Sequence, residues 1–291
     1  MSRLSPDEIR EIRRLHLVAG RPVAAWMAGD HRSALRGQGM EFDEVRAYQP
    51  GDDVRHLDWN VTARAGEPYV KVFREERQNT VILALDVSGS SRVGSGGRDG
   101  VTTRGRQQAR LVGALAWATL RARDRVGLYT FSDDVEQWLA PRRSRSHTWT
   151  ILEQAFHPTA ARRRTDLSRS LTTLRGRLTR RCSIILVTDA LDAGSWERPL
   201  RALAAQHTVH ALLTTDPLDL AAPNLGLLRV VDAETGHARL IDTASLTGRL
   251  TAQARADRLL RAGARVTVVD TSDDAFAALA RTFGAKRGRR A

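Results

Sequence analysis

From Asn79 onward the chain repeats one pattern: a short unbroken apolar run, a polar turn, then a stretch with apolar residues at helical spacing. The runs TVILALDV, RVGLYTFS, CSIILVTD, TVHALLTT and ARVTVVD are rich in β-branched residues and bounded by polar turns, which predicts buried strands. Helices are predicted over 106–123, 148–156, 167–178, 196–205, 246–262 and 275–283. Such alternation requires a mostly parallel sheet with helices on both faces, so the expected fold class is α/β, doubly wound and Rossmann-like. The segment LLRVVDAETGHARLID predicts a hairpin turning at 234–236.

Upstream the texture differs. Residues 5–27 predict an amphipathic helix, capped by Ser5, with Pro6 in its first turn and Ile9, Ile12, Leu15 and Val18 on one face. Residues 31–75 are rich in Gly, Arg, Asp and aromatics, with short extended pieces at 44–48 and 69–74. The expected division is therefore 1–78, an N-terminal helix with a small extended β extension, and 79–291, the α/β domain.

Composition narrows the function classes. With 291 residues, 42% hydrophobic against 27% charged, the chain can bury a substantial core. The single cysteine, Cys182, excludes an intrachain disulfide framework or a cysteine-based zinc site, and opens an apolar run as a small buried residue. No apolar run approaches the ~20 residues needed to span a bilayer, and MSRLSPDEIREIRRLHL is a charged helix pattern rather than a signal peptide. A cytoplasmic protein is expected. The formal charge of +13 is almost wholly arginine, since the lysines are Lys71 and Lys286, and it favours acidic partners.

The chemistry concentrates at strand ends. In VILALDVSGSS a run that looks fully buried ends in Asp86, Ser88 and Ser90, oxygen-bearing side chains at every second position. The run SIILVTDA ends in Thr188 and Asp189, and RRRTDLSRSL places Thr165 and Asp166 just before a helix that Asp166 can cap. In a doubly wound sheet ligands bind at the carboxyl ends of the strands, where the strand order reverses. Hydroxyls and carboxylates are hard donors suited to Mg2+, Mn2+ or Ca2+, and a site with few charged ligands leaves the ion seeking another acidic oxygen.

DVSGS resembles the D-x-S-x-S motif of von Willebrand factor A domains. Their metal-ion-dependent adhesion site (MIDAS) adds a threonine from a later loop, matched here by Thr165, and an aspartate after a later strand, matched by Asp189. The stretch RGQGMEFDEVRAYQPGDDVRHLDWNVTARAGEPYVKVFREER, 36–77, resembles the signature of the domain of unknown function 58 (DUF58) family, in which it precedes a von Willebrand A-like core. Gly37, Gly39, Glu41, Phe42, Arg46, Tyr48, Gly51, Asp52, Asp53, Arg55, Asp58, Trp59, Ala63 and Arg64 carry that match. The resemblance implies a metal site of Asp86, Ser88, Ser90, Thr165 and Asp189, and a role as adaptor or assembly factor beside a MoxR-type AAA+ ATPase. It departs from the family pattern at Ser91, where methionine is common, and in the long Gly/Arg loop that follows. Many members also carry N-terminal membrane helices, for which no run here is suited.

Two other readings compete. In RAYQPGDDVRHLDW, a hydrolytic metal centre from Asp52, Asp53, Asp58 and His56 is the weaker; a turn whose carboxylates pair with Arg46, Arg55 and Arg64, with Trp59 as anchor, is the stronger. Nucleic-acid binding through arginine is disfavoured because the basic runs lack interleaved aromatics. The expectation is therefore a non-catalytic protein-interaction module, its cation completed by a partner's acidic residue.

Overall fold

The computed structural model describes residues 4–18, 40–75, 79–94, 102–159, 164–220, 226–242 and 251–284. The chain divides into two compact units, 33–78 and 1–32 together with 79–291. The N-terminal helix α1, Pro6–Val18, thus belongs with the α/β unit and not with the extension. Its start is a reciprocal capping box: the Ser5 hydroxyl accepts from the Glu8 N–H at 3.2 Å, and the Glu8 carboxylate accepts from the Ser5 N–H at 2.8 Å. Glu8 and Glu11 then pair with Arg106 at 2.7 and 2.5 Å, and Ile12 packs with Trp117 and Leu152. The continuation of the predicted helix to residue 27 lies outside the described residues.

In the smaller unit, β1 (Met40–Ala47) and β2 (Tyr69–Glu75) form an antiparallel pair. Between them lie a 3-10 turn, Val54–His56, and helix α2, Trp59–Ala65. The PGDD turn needs glycine at Gly51, where φ is 107°. Asp58 caps α2, accepting from the N–H groups of Asn60 and Val61 at 3.0 and 3.2 Å. Trp59 opens α2 and is 71% exposed.

The α/β unit is built on one six-stranded sheet in the order β10-β7-β6-β3-β4-β5. Its strands are β3 (Thr80–Asp86), β4 (Arg125–Phe131), β5 (Val135–Arg142), β6 (Ser183–Thr188), β7 (Thr208–Thr215) and β10 (Arg265–Asp270). All neighbours run parallel except the edge strand β5, antiparallel to β4. β5 carries no continuous apolar run because it is a half-exposed edge, and Pro141 is tolerated there. A separate antiparallel hairpin joins β8 (Leu227–Val231) to β9 (Ala238–Asp242), turning where the sequence predicts.

Residue alternation along β3 explains the layers. Val81, Leu83 and Leu85 face one core, shared with helices α3 (Arg104–Arg121), α4 (Arg145–Phe156) and α9 (Ala275–Gly284). Ile82 and Ala84 face the other, shared with α5 (Leu167–Arg177), α6 (Glu197–Gln206) and α8 (Ala252–Arg261). A strand covered on both sides reads as unbroken apolar sequence for this reason. A one-turn helix α7, Pro217–Leu220, follows β7. Cys182 is buried in the second core, and that burial pushes its thiol up to about 12. Trp196 is fully buried there, while Trp117 and Trp149 meet edge to face at 5.9 Å.

Candidate metal centre

From β3 the chain runs outward through β4 to β5, then returns on the opposite side of β3 as β6 and continues to β7 and β10. The strand order therefore reverses between β3 and β6, and their carboxyl ends frame the crevice where such sheets bind ligands. Asp86 ends β3, and Asp189 follows the last residue of β6. Both are almost wholly buried, at 1% and 2% exposure.

Among the described residues the hydrogen-bond donors to the two carboxylates are neutral. Asp86 accepts from the Ser88 N–H at 3.0 Å and from the Thr188 hydroxyl at 2.7 Å. Asp189 accepts from the Leu191 N–H at 3.1 Å, and its Oδ2 is buried with no hydrogen-bond partner among the described residues. Burial first, and then repulsion from Asp189, push the Asp86 carboxyl up to about 7. Ser88, fully buried, sits 3.0 Å from Ser90, hydroxyl to hydroxyl. Two adjacent buried carboxylates, one orphaned oxygen and a pair of hydroxyls form a donor set that suits a hard divalent cation. Among the described residues no three His, Cys, Asp or Glu side chains group to hold a metal. The constellation is hydroxyl-rich and carries only two aspartates.

Thr165 reaches the same edge by a different route. The Asp166 N–H bonds the Ser132 carbonyl beyond β4 at 3.1 Å, and the Leu167 N–H bonds the Asp192 carboxylate beyond β6 at 2.9 Å. Loop 164–167 is thus tied to the ends of both strands that flank β3. Asp166 caps α5 as expected, accepting from the Arg169 N–H at 2.8 Å. The Thr165 hydroxyl itself donates to Glu234 at 2.6 Å rather than to another member of the set. Hydrogen bonds thus join Asp86, Ser88 and Ser90, and Thr188 bonds Asp86 from the residue before Asp189. Thr165 lies in the loop tied to both flanking strands and, among the described residues, makes no hydrogen bond to the other four. Of the arginine run beside it, Arg162 and Arg163 lie outside the described residues, as does 95–101 of the Gly/Arg loop.

Several supporting residues escaped sequence reasoning. Arg255, 0% exposed, donates to the Asp189 carbonyl at 2.6 Å and to Asp219 at 3.1 Å. Arg104, also buried, bonds the other Asp219 oxygen and reaches the Ser90 carbonyl at 3.4 Å. One aspartate with two arginines thereby holds the main chain of the loops that follow β3 and β6. Gly105 permits the approach of α3 to this loop, since a Cβ would meet the Ser91 carbonyl oxygen at 2.9 Å. Ala190, next to Asp189, has φ of 49°, a left-handed strain typical of functional turns. None of these carries a local signal, because each depends on distant pairing.

The GDD segment is arranged otherwise. Asp52 takes a bidentate pair from Arg46 at 2.7 and 2.8 Å, which with the Gln49 N–H holds its carboxyl below the usual range. Asp53 accepts from the Arg55 N–H at 3.0 Å, with the Arg55 side chain 3.4 Å away. Asp58 lies 3.5 Å from Lys71, a cation outside the expected set of Arg46, Arg55 and Arg64.

Comparison with known proteins agrees with this architecture. Residues 44–262 match the family described as protein of unknown function DUF58. An uncharacterized protein of Mycobacterium bovis is 32% identical over 236 residues, covering 80% of this chain and 73% of its own. An uncharacterized protein of Mycobacterium tuberculosis strain H37Rv matches to the same extent. The fold is shared with the conserved hypothetical protein BatB from Bacteroides thetaiotaomicron, at a TM-score of 0.50 and 19% identity over 71% of this chain and 97% of that one. It is shared also with an aerotolerance-related membrane protein from Bacteroides fragilis bearing multiple mutations to serine, at a TM-score of 0.51 and 17% identity over 71% and 96%. Among the described residues no helix is long and apolar enough to cross a membrane. On the strength of the family match and the mycobacterial relatives, the chain belongs to the DUF58 family.

Proposed function

We propose that this protein is a non-catalytic interaction module that holds a divalent cation, Mg2+ or else Mn2+ or Ca2+, through Asp86, Ser88, Ser90, Thr165 and Asp189. The observation that carries the reading is the pair of buried carboxylates at the switch point, which among the described residues receive hydrogen bonds from neutral groups and leave Asp189 Oδ2 without a partner. A bound cation would relieve their repulsion and, with two carboxylates among its ligands, would keep affinity for one more acidic oxygen. That oxygen would come from a glutamate or aspartate of a protein partner. The likeness to von Willebrand A adhesion sites supports such docking, and the family resemblance points to a MoxR-type AAA+ ATPase or its client as the partner. Action in the cytoplasm, as adaptor or assembly factor, follows from that partner.

The test is affinity capture from native extract in Mg2+ or in chelator, with the wild-type chain and the D86A/S88A double variant. The proposal expects a partner that chelator releases and the double variant fails to retain, with the variant's circular dichroism unchanged. Capture indifferent to both chelator and substitution would remove the cation from the account. Capture that falls steeply with salt and is destroyed by nuclease would favour nucleic acid instead.

A further inference from the structure

The end of the six-stranded sheet opposite the candidate metal centre carries three turns: 121–125 between α3 and β4, 142–145 between β5 and α4, and 175–181 between α5 and β6. Strand register brings them to one level. Arg125 pairs with Thr80 at the start of β3, Val126 pairs with Arg142, and Arg180 and Arg181 lead into Ser183, which pairs with Val81. The Arg143 guanidinium donates to the Arg123 carbonyl at 3.4 Å, tying two of the turns together. The turns hold three, three and four arginines, all exposed, and among the described residues none of them enters an ion pair. Their single carboxylate, Asp124, is 4% exposed and turns inward to accept the Asn79 N–H at 2.9 Å. Helix ends explain part of this charge, since Arg121, Arg175 and Arg177 lie in the last turns of α3 and α5, where a cation complements the dipole. Arg145 does the reverse: it opens α4, and with Arg142 and Arg143 it sets positive charge at a helix N-terminus, which the dipole opposes. Local stability does not account for that charge.

We infer that this end of the sheet docks electrostatically on an anionic phospholipid membrane surface. Other anionic partners need parts that the turns lack. They contain no aromatic side chain on which a base could stack, and as turns they supply neither helix nor β-ribbon for a duplex groove. They carry no exposed large apolar side chain to anchor a folded acidic protein. A membrane surface asks only for positive charge at one level, and the forked, permanently charged guanidinium suits its phosphates. The seven residues of β3 set the carboxyl ends of the strands roughly 20 Å from this level, so a chain docked here turns its cation-site end away from the lipid. The inference stands independently of the cation-site reading.

The test floats the full chain, in chelator, with vesicles of phosphatidylcholine alone or of phosphatidylcholine and phosphatidylglycerol in equal amounts. Wild type is expected to bind the anionic vesicles only, and to be released as salt rises. R125Q/R142Q/R180Q, one arginine from each turn, should bind them about a hundredfold more weakly. R13Q/R229Q/R239Q, with the same loss of charge at exposed positions elsewhere, should bind as wild type does. Circular dichroism should be the same for all three, because the six substituted side chains are exposed. Wild type that binds neither vesicle, or equal binding by the two variants, would overturn the inference. Binding to duplex DNA in place of vesicles, lost in R125Q/R142Q/R180Q, would overturn it in favour of nucleic acid.

Discussion

Two regions of this molecule are dense in acidic side chains, and they solve the same electrostatic problem in opposite ways. In the extension Asp52, Asp53 and Asp58 stand at turns and a helix start, each with a cationic side chain within 3.5 Å. At the ends of β3 and β6, Asp86 and Asp189 are buried and, among the described residues, accept hydrogen bonds from neutral donors. The arginines nearby, Arg104 and Arg255, spend their charge on Asp219 and on backbone carbonyls. The number of carboxylates therefore does not single out a candidate metal site. What sets the strand-end pair apart is burial together with neutral hydrogen-bond donors, with no ion pair to either side chain among the described residues.

Removing Asp219 should give the largest effect on the fold, because Arg104 and Arg255 would be left as buried charges without their carboxylate. D219A is expected to cost about 3–5 kcal/mol in denaturant unfolding, and to loosen the loops that follow β3 and β6.

A pair of neutralising substitutions sharpens the contrast between the regions. D189N removes one of two repelling buried carboxylates, so in chelator it should melt above wild type by roughly 2–4 °C per kcal/mol of relief. Wild type should gain stability on adding Mg2+ and D189N should not. D52N breaks an exposed ion pair and should leave both the melting temperature and its response to Mg2+ nearly unchanged. If D189N melts lower than wild type in chelator, the claim of unbalanced charge fails.

A smaller effect belongs to α1. Burial raises the Glu8 carboxyl, but hydrogen bonds from Ser5, His157 and Arg106 outweigh it and hold it down at about 2. A depressed carboxyl stabilises the fold fully above its unfolded value of 4.5 and loses that contribution as pH falls from there toward 2. E8Q should therefore cost about 1 kcal/mol near neutral pH, with the difference from wild type shrinking across that acid window.

Much of this was legible because it is local in the chain. The strands covered on both faces announce themselves as apolar runs, and a D-x-S-x-S segment at the end of such a run can face nothing but the carboxyl edge of the sheet. β5 was illegible because an edge strand is not covered on both sides, and its Val135–Arg142 sequence mixes polar residues and proline with apolar ones. The buried arginines were illegible for a different reason: arginine in a strongly basic chain reads as solvated surface, and only the fold brings Asp219 between Arg104 and Arg255. Glu234 looked like one residue of a turn, since nothing in its neighbours foretells contact with Thr165. The helix α1 was expected beside the extension, but its acidic face meets Arg106 and Arg110 of α3.

The claim beneath all of this is that one cation can be shared by the loops following β3 and β6 and the loop preceding α5. Anomalous diffraction at the manganese edge from crystals grown with Mn2+ locates such an ion without reference to any activity. The account predicts a single strong peak in coordination distance of Asp86 or Asp189, directly or through one water, with the Ser88, Ser90 and Thr165 hydroxyls around it. Manganese bound instead at Asp52 and Asp53, or no peak at the β3–β6 edge at saturating Mn2+, would contradict it.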